Sequence, residues 1–305
     1  MHPTIRTVLV TGAGGPAGTS AVHQLLDRGM RVIATDITPL AFPAEDFLLG
    51  PRAESPSYIP FLEETVARLG VDLLVPTVQE ELPALAAAAP ILGCRVAIAA
   101  AGPVLLCHDK LLTMRFLAAC GIPVPSTATV RPSGVSPQRV RERPFVVKPR
   151  LSRGSRGAVV LDSSAQVPAR DDTFIAQELA PGEEFRPQVH RSAVDGAATA
   201  VVLRKPGPGH GRIGDREGIQ RLDAGMEPQI SRLALDVARS LELDGAIDMD
   251  VRRTREGHPV VLEVSARLGK NSHHCPELLD GILDDAVGAR APVRRPVAAI
   301  PDGAA

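Results

Sequence analysis

The alternation of apolar and polar positions changes period repeatedly along the first third of the chain. Residues 5–10 are a short β-branched run, a glycine-rich turn follows, and residues 17–28 carry apolar side chains at helical spacing before residues 31–36 resume as a strand. This predicts a βαβ unit. Pro39, Pro43, Pro51, Pro56 and Pro60 mark an irregular connection. Beyond it the pattern predicts a helix over 58–69, a strand over 72–76, a helix over 80–89 and a strand over 95–99. The most apolar longer stretch, residues 90–107, holds Arg95 and a Gly102-Pro103 break, so it reads as a buried strand plus a turn rather than a membrane span. Strands alternating with helices imply an α/β region, a parallel sheet covered on both faces, for about the first 105 residues.

At Asp109 a helix begins with an acidic N-cap, is expected to bury Leu112, Phe116 and Leu117 on one stripe, and stops at Gly121 before Pro123 and Pro125. Short β-like runs follow at 126–130, 145–148, 157–161, 174–177, 188–190 and 198–203, then a helix over 229–241 and strands over 246–252 and 259–265. This second part reads as α+β, and residues from about 290 as a disordered tail.

The 305 residues suit two domains sharing a cleft. Lys and Arg number 34 against 35 Asp and Glu, which removes the global electrostatic case for nucleic acid or an anionic membrane and leaves small molecules as the expected partners. Length and charge leave a homodimer open. Cys94, Cys107, Cys120 and Cys275 show no Cys-x-x-Cys spacing, and no long apolar run follows Met1, so reduced thiols in the cytoplasm are expected.

Gly12-Ala13-Gly14-Gly15-Pro16-Ala17-Gly18 lies between a strand and a helix, with Asp36 ending the next strand, and so fits the dinucleotide fingerprint in context. A nicotinamide oxidoreductase using Gly12, Gly15, Gly18 and Asp36 is therefore one reading. The opening also resembles short-chain dehydrogenases, which need a catalytic Tyr-x-x-x-Lys pair. The single tyrosine, Tyr58, is followed four residues later by Leu62, and this excludes that chemistry.

Four later segments carry more chemistry. Lys110, beside the capping Asp109, can reach a phosphate, or is part of an ordinary first turn. Lys148 ends an apolar strand before Ser152-Arg153-Gly154-Ser155-Arg156-Gly157, which sets an ammonium and several N–H donors beside one anionic ligand. Gln177-Glu178-Leu179 to Glu184 offers backbone and carboxylates to an adenine and a ribose, or is a solvated acidic turn. Period-two alternation puts Asp248 and Asp250 on one strand face and Glu263 with Ser265 on another, and paired carboxylates in an apolar hairpin make a hard-oxygen Mg2+ site. Arg204 and Lys205 end a strand before the Gly207–Gly211 loop and can hold a carboxylate or acylphosphate, or form a salt-bridged strand end.

Taken in order, Asp109-Lys110, Val147-Lys148-Pro149 with its Gly/Ser/Arg loop, Gln177-Glu178 to Glu184, Asp250, and Glu263-x-Ser265-x-Arg267 resemble the ATP-grasp superfamily over about residues 5–288. The nearest subgroup comprises proteins similar to the carbamoyl-phosphate synthetase large chain and ATP-dependent carboxylate–amine ligases. The resemblance implies a Rossmann-like pre-ATP-grasp domain over 1–107, an ATP-grasp domain of two α+β subdomains over 108–289, and a tail over 290–305. It implies that Lys110 and Lys148 contact ATP phosphates, that Gly154, Ser155, Arg156 and Gly157 form the phosphate loop, that Glu178 and Leu179 meet adenine, and that Glu184 meets ribose. Asp250 and Glu263 would hold Mg2+ or Mn2+, and Arg267, with Lys148 and Arg204, would serve the transferring phosphoryl group and the acylphosphate. Ser265 stands where the family usually carries Asn as a metal ligand, so one of two expected ions binds through water, or turnover is slow. Gly269-Lys270 replaces a usual Gly-Gly pair, and His273, His274 and Cys275 could ligate zinc only with further ligands. The implied activity is ligation of a carboxylate to an amine or a thiol through an acylphosphate, releasing ADP and phosphate. A non-catalytic ATP-binding module is the alternative.

Overall fold

Three five-stranded sheets organise the chain, and each follows from a different hydrophobic pattern. The computed structural model describes residues 4–40, 46–131, 134–135, 144–152, 156–162, 171–205 and 218–288. The first sheet is parallel, in the order β3-β2-β1-β4-β5, with β1 (Thr7–Thr11), β2 (Arg31–Asp36), β3 (Asp46–Leu49), β4 (Leu73–Val75) and β5 (Arg95–Val96). Its central strand β1 is buried on both faces. Val8 and Val10 pack with α1 (Pro16–Asp27), while Leu9 packs with α2 (Tyr58–Leu69) and α3 (Leu82–Ala88).

Three expectations for this region need correcting. Residues 46–49 form a strand inside the proline-rich connection, half-buried and paired only at the edge with β2. The strand expected over 95–99 is two residues long. The turn expected at Gly102-Pro103 is the start of a helix, α4 (Ala101–His108). Pro103 sits in the first turn, where amides have no intrahelical acceptor, so its missing N–H costs the helix nothing.

The helix expected from Asp109 is present as α5 (Lys110–Ala119), and the Asp109 carboxylate accepts from the Leu111 and Leu112 amides. Its buried stripe is not the expected one. Leu112 and Phe116 are 43% and 36% exposed, while Lys110, Leu111, Met114 and Leu117 are buried. The helix is turned so that Lys110 enters the interior, and Met114 and Leu117 join the core with Val104 and Cys107 of α4.

The second sheet is antiparallel, in the order β7-β6-β10-β8-β9, with β6 (Thr127–Arg131), β7 (Gly134–Val135), β8 (Phe145–Pro149), β9 (Val159–Leu161) and β10 (Phe174–Glu178). It keeps a small core of its own, formed by Ala128, Val130, Phe145, Val147 and Ala176. The third sheet, β13-β12-β11-β14-β15, comprises β11 (Glu184–Arg191), β12 (Ala198–Lys205), β13 (Gln220–Arg221), β14 (Gly245–Arg253) and β15 (Pro259–Ser265). One face packs Phe185, Val189, Ile247, Met249 and Val251 against α6 (Pro228–Ser240). A last helix, α7 (Pro276–Gly288), inserts Leu278, Leu279 and Ile282 into the same core as Val8, Val10 and Leu25, tying the first sheet to the third. No helix of the described residues is long and apolar enough to cross a membrane. The expected tail lies outside the described residues.

Candidate active site

Alternation along β11 and β14 leaves one face of the third sheet polar. Register places Asp250 opposite Glu263 and Asp248 opposite Ser265 across β14 and β15. On the other side of β14, Gln188 of β11 faces Asp248 and Glu184 faces Arg252, so Arg186 falls beside Asp250. The result is two rows across three strands, Arg186-Asp250-Glu263 and Gln188-Asp248-Ser265. The Arg186 guanidinium bonds Asp250 through one amino group and Glu184 Oε1 at 2.9 Å through the other, and Gln188 donates to Asp248 at 2.5 Å. Burial pushes the Glu184 carboxyl up, but Arg186, Arg252 and Lys205 outweigh it and hold it down at about 2.

Across the cleft, the second sheet and α5 supply cations. Lys110 Nζ lies 3.4 Å from Glu263 and donates to the Ser152 carbonyl at 2.5 Å. Lys148 Nζ donates to the Leu262 carbonyl of β15 at 3.2 Å. Burial lowers its pKa to about 8, with Lys110 and Arg186 adding to the effect and Glu263 opposing it. These groups line a cavity of about 90 Å3 with Glu178, Leu179 and Arg156. The Leu179 amide is taken by the Pro144 carbonyl at 3.0 Å, so an adenine read by that N–H requires the bond to open.

A larger cavity of about 720 Å3 lies on the other side of the carboxylate row, between it and the glycine turn of the first sheet. Asp248, Ser265, Arg267 and Lys270 face it from one side, and Gly14, Asp36 and Tyr58 from the other. Arg267 donates to the Leu268 carbonyl at 2.7 Å, while its buried Nε has no partner among the described residues. The glycines have structural reasons of their own. A Cβ on Gly18 would sit 2.2 Å from the Gly12 carbonyl oxygen, so α1 approaches the turn only because residue 18 lacks one. Asp36, which a dinucleotide reading assigns to ribose, accepts from the Gly14 amide at 2.9 Å and from Thr38. Tyr58 is buried and donates to Glu81, and burial raises its phenol out of the titratable range.

Of the sequence-derived candidates, Lys110, Lys148, Arg156, Glu178, Leu179, Glu184, Asp250, Glu263, Ser265 and Arg267 line one cavity or the other. Arg204 lies apart from them. It is in register with Phe185, bonds the Gln220 side chain at 2.8 Å and lines neither cavity, whereas its neighbour Lys205 faces Glu184 at 3.3 Å. Gly157 adopts a left-handed turn against Pro149 without lining a cavity, and Gly154, Ser155 and the Gly207–Gly211 loop lie outside the described residues. His273 and His274 stack on each other, and among the described residues no three His, Cys, Asp or Glu side chains converge on a metal, so the zinc option is not supported. Sequence reasoning missed Arg186. The only signal was its spacing from Glu184 on a strand whose start was placed four residues too late.

The segment 107–270, more than half of the chain, matches the family described as ATP-grasp domain. The chain belongs to the ATP-grasp family. Over 189 residues it is 29% identical to a D-alanine–D-alanine ligase of Marinomonas sp. (strain MWYL1), covering 55% of this chain and 58% of that relative, so the match spans little over half of that protein's length. The ATP-grasp fold extends to solved structures at lower identity. An L-amino acid ligase from Bacillus licheniformis superposes with a TM-score of 0.69 at 17% identity, over 89% of this chain and 70% of that one. The biotin carboxylase domain of Hydrogenobacter thermophilus 2-oxoglutarate carboxylase, in complex with MgADP, ADP and bicarbonate, gives 0.70 at 12% identity, over 95% and 71%.

Proposed function

We propose that the chain is an ATP-dependent ligase that activates a small carboxylate as an acylphosphate and joins it to an amine. One observation carries this reading: the small cavity and the large one meet at four shared residues, Arg156, Arg186, Asp250 and Glu263. A nucleotide in the small cavity directs its terminal phosphate to that junction, and an acceptor in the large cavity approaches the same point from the opposite side. That is the arrangement in-line phosphoryl transfer needs, since the protein has chiefly to position the groups and neutralise charge.

In the first step a carboxylate oxygen of the acceptor bonds to the γ-phosphorus as the bond to the β–γ bridging oxygen breaks, and ADP leaves with that oxygen. In the second step the amine attacks the acyl carbon, the C–O bond to phosphate breaks, and phosphate departs with the electron pair while the amine gives up a proton. Lys110 and Lys148 hold the polyphosphate, and Arg267, whose Nε has no partner among the described residues, meets the acceptor end. Asp250 and Glu263 suit Mg2+. They are opposed hard-oxygen donors, and with no third such carboxylate converging on them among the described residues, phosphate oxygens would complete the shell. When bound, the ion supplies charge neutralisation on the phosphates. Asp36 and Gly18 have partners or packing roles of their own, which weighs against a nicotinamide site. We read residues 1–107 as a Rossmann-like pre-ATP-grasp domain and 108–289 as the ATP-grasp domain, in keeping with a family match that begins at residue 107. We place the protein in the cytoplasm, consistent with four free cysteines of which three are buried.

The test is ADP release with amino acids and other carboxylates, alone and in pairs. Stimulation by a pair is expected, and Glu263→Gln should lower ADP formation at least ~100-fold while leaving the fold intact. Full ADP formation by a folded Glu263→Gln protein would remove the metal assignment.

A further inference from the structure

We propose that Arg186 takes the place of one of the two metal ions expected at this site, so that the chain holds a single divalent cation with its nucleotide. The inference rests on the ligase reading and goes on to the charge composition of the same site. Its basis is the row Arg186-Asp250-Glu263, which sets a fixed guanidinium on the carboxylate that would otherwise serve the second ion. Arg186 also bonds Glu184 at 2.9 Å, but that carboxylate has two further cations, Lys205 at 3.3 Å and a bond from Arg252. Asp250, by contrast, has Arg186 as its bonded cation. One amino group of the arginine is thus engaged by the metal-binding row while the other is held by Glu184.

The remaining donors suit one ion better than two. With one Asp250 oxygen on Arg186, the row offers the other Asp250 oxygen and the Glu263 carboxylate, and the neighbouring row adds the Ser265 hydroxyl, a weaker ligand than an asparagine carbonyl. Mg2+ demands six oxygens in near-octahedral geometry, and this set reaches that number for a single ion once phosphate oxygens and water join it. Asp248, which could supply a second set, is held by Gln188 at 2.5 Å and does not converge with the other two carboxylates. The position of Arg186 also suits the replacement. It lines both cavities, so its guanidinium sits where the phosphoryl group passes from nucleotide to acceptor. An arginine is always charged and presents paired N–H donors that match a phosphate.

The experiment counts Mn2+ per protein-bound nucleotide, using equilibrium dialysis with a non-hydrolysable ATP analogue and electron paramagnetic resonance of the free ion. The wild-type protein and Arg186→Lys are expected to hold one Mn2+ per nucleotide. The double variant Arg186→Gln/Ser265→Asn, which removes the fixed cation and restores the amide ligand, is expected to hold two. Arg186→Gln alone, with Glu184 still paired to Lys205 and Arg252, is the fallback if the double variant does not fold, and should bind a second ion more tightly than wild type does. Two ions on the wild-type protein, or a ratio of one in the folded double variant, would overturn this inference and leave the ligase reading standing. Failure of the wild-type protein to bind the analogue with Mn2+ would overturn both.

Discussion

Lys148 is the residue whose charge state couples the site to pH. Its ammonium is buried beside two other cations, Lys110 and Arg186, and only Glu263 favours its charged form, so its pKa stands at about 8. A polyphosphate in the small cavity adds negative charge and favours the protonated lysine, so binding above pH 8 should take up a proton. Nucleotide affinity is then expected to fall by up to ~10-fold per pH unit above 8, and Lys148→Ala should bind weakly with that dependence gone. Calorimetric titrations in buffers of different ionisation enthalpy check this, and a wild-type affinity flat from pH 7 to 10 would refute it. The stability consequence has the opposite appearance. The folded pKa lies below that of a free lysine, so between about 8 and 10.5 the unfolded chain holds the extra proton. The destabilisation is complete below pH 8 and is relieved as pH rises through that window, which makes the apo protein gain stability while it loses affinity.

At the scale of elements, the strongly periodic segments were legible and those set by a neighbour were not. The helix over residues 58–69 and the strand over 259–265 occupy the residues their patterns indicated, because each has one apolar face and a clear stop, Gly70 with φ +65° for the helix. β3 was illegible because a half-buried parallel edge strand is defined by its partner β2 and not by its own alternation. α5 was recognised as a helix, but its rotation depends on α4, itself read as a turn. The same holds within the site. Lys110, Lys148, Asp250 and Glu263 stood out by type and spacing, whereas Arg186 acquires its meaning from Asp250, 64 residues away on the next strand. The rotation of α5 can be tested directly. Met114→Ala should cost ~2–5 kcal/mol by leaving a cavity, while Leu112→Glu should change stability by no more than ~0.5 kcal/mol in urea unfolding. Equal losses in the two variants would mean that the helix buries the stripe first expected.

For the whole molecule, the question is how a nucleotide enters. A cavity of about 90 Å3 between the second and third sheets is far below the roughly 300–1,000 Å3 typical of ligand pockets. The first and third sheets share a core through α7 and cannot separate without exposing it. The second sheet has a five-residue core of its own and is tied to the rest mainly by polar contacts: Lys148 to the Leu262 carbonyl of β15, Arg150 to Asp109, and the Ser152 carbonyl to Lys110. Opening is therefore expected to fall on the second sheet, because its movement would cost little buried apolar area and widen the cleft from one side. On the proposed function, a nucleotide that bridges Lys148 on the second sheet and Lys110 with the Asp250–Glu263 pair on the other side would close it again. Hydrogen exchange should accordingly slow in residues 145–149 and 174–178 when Mg2+ and a non-hydrolysable ATP analogue are added together, with β1, β2 and β4 unchanged. Lys148→Ala should lose most of that protection. If protection instead spread evenly over all three sheets, the nucleotide would be stabilising the molecule globally, and the second sheet would not be its gate.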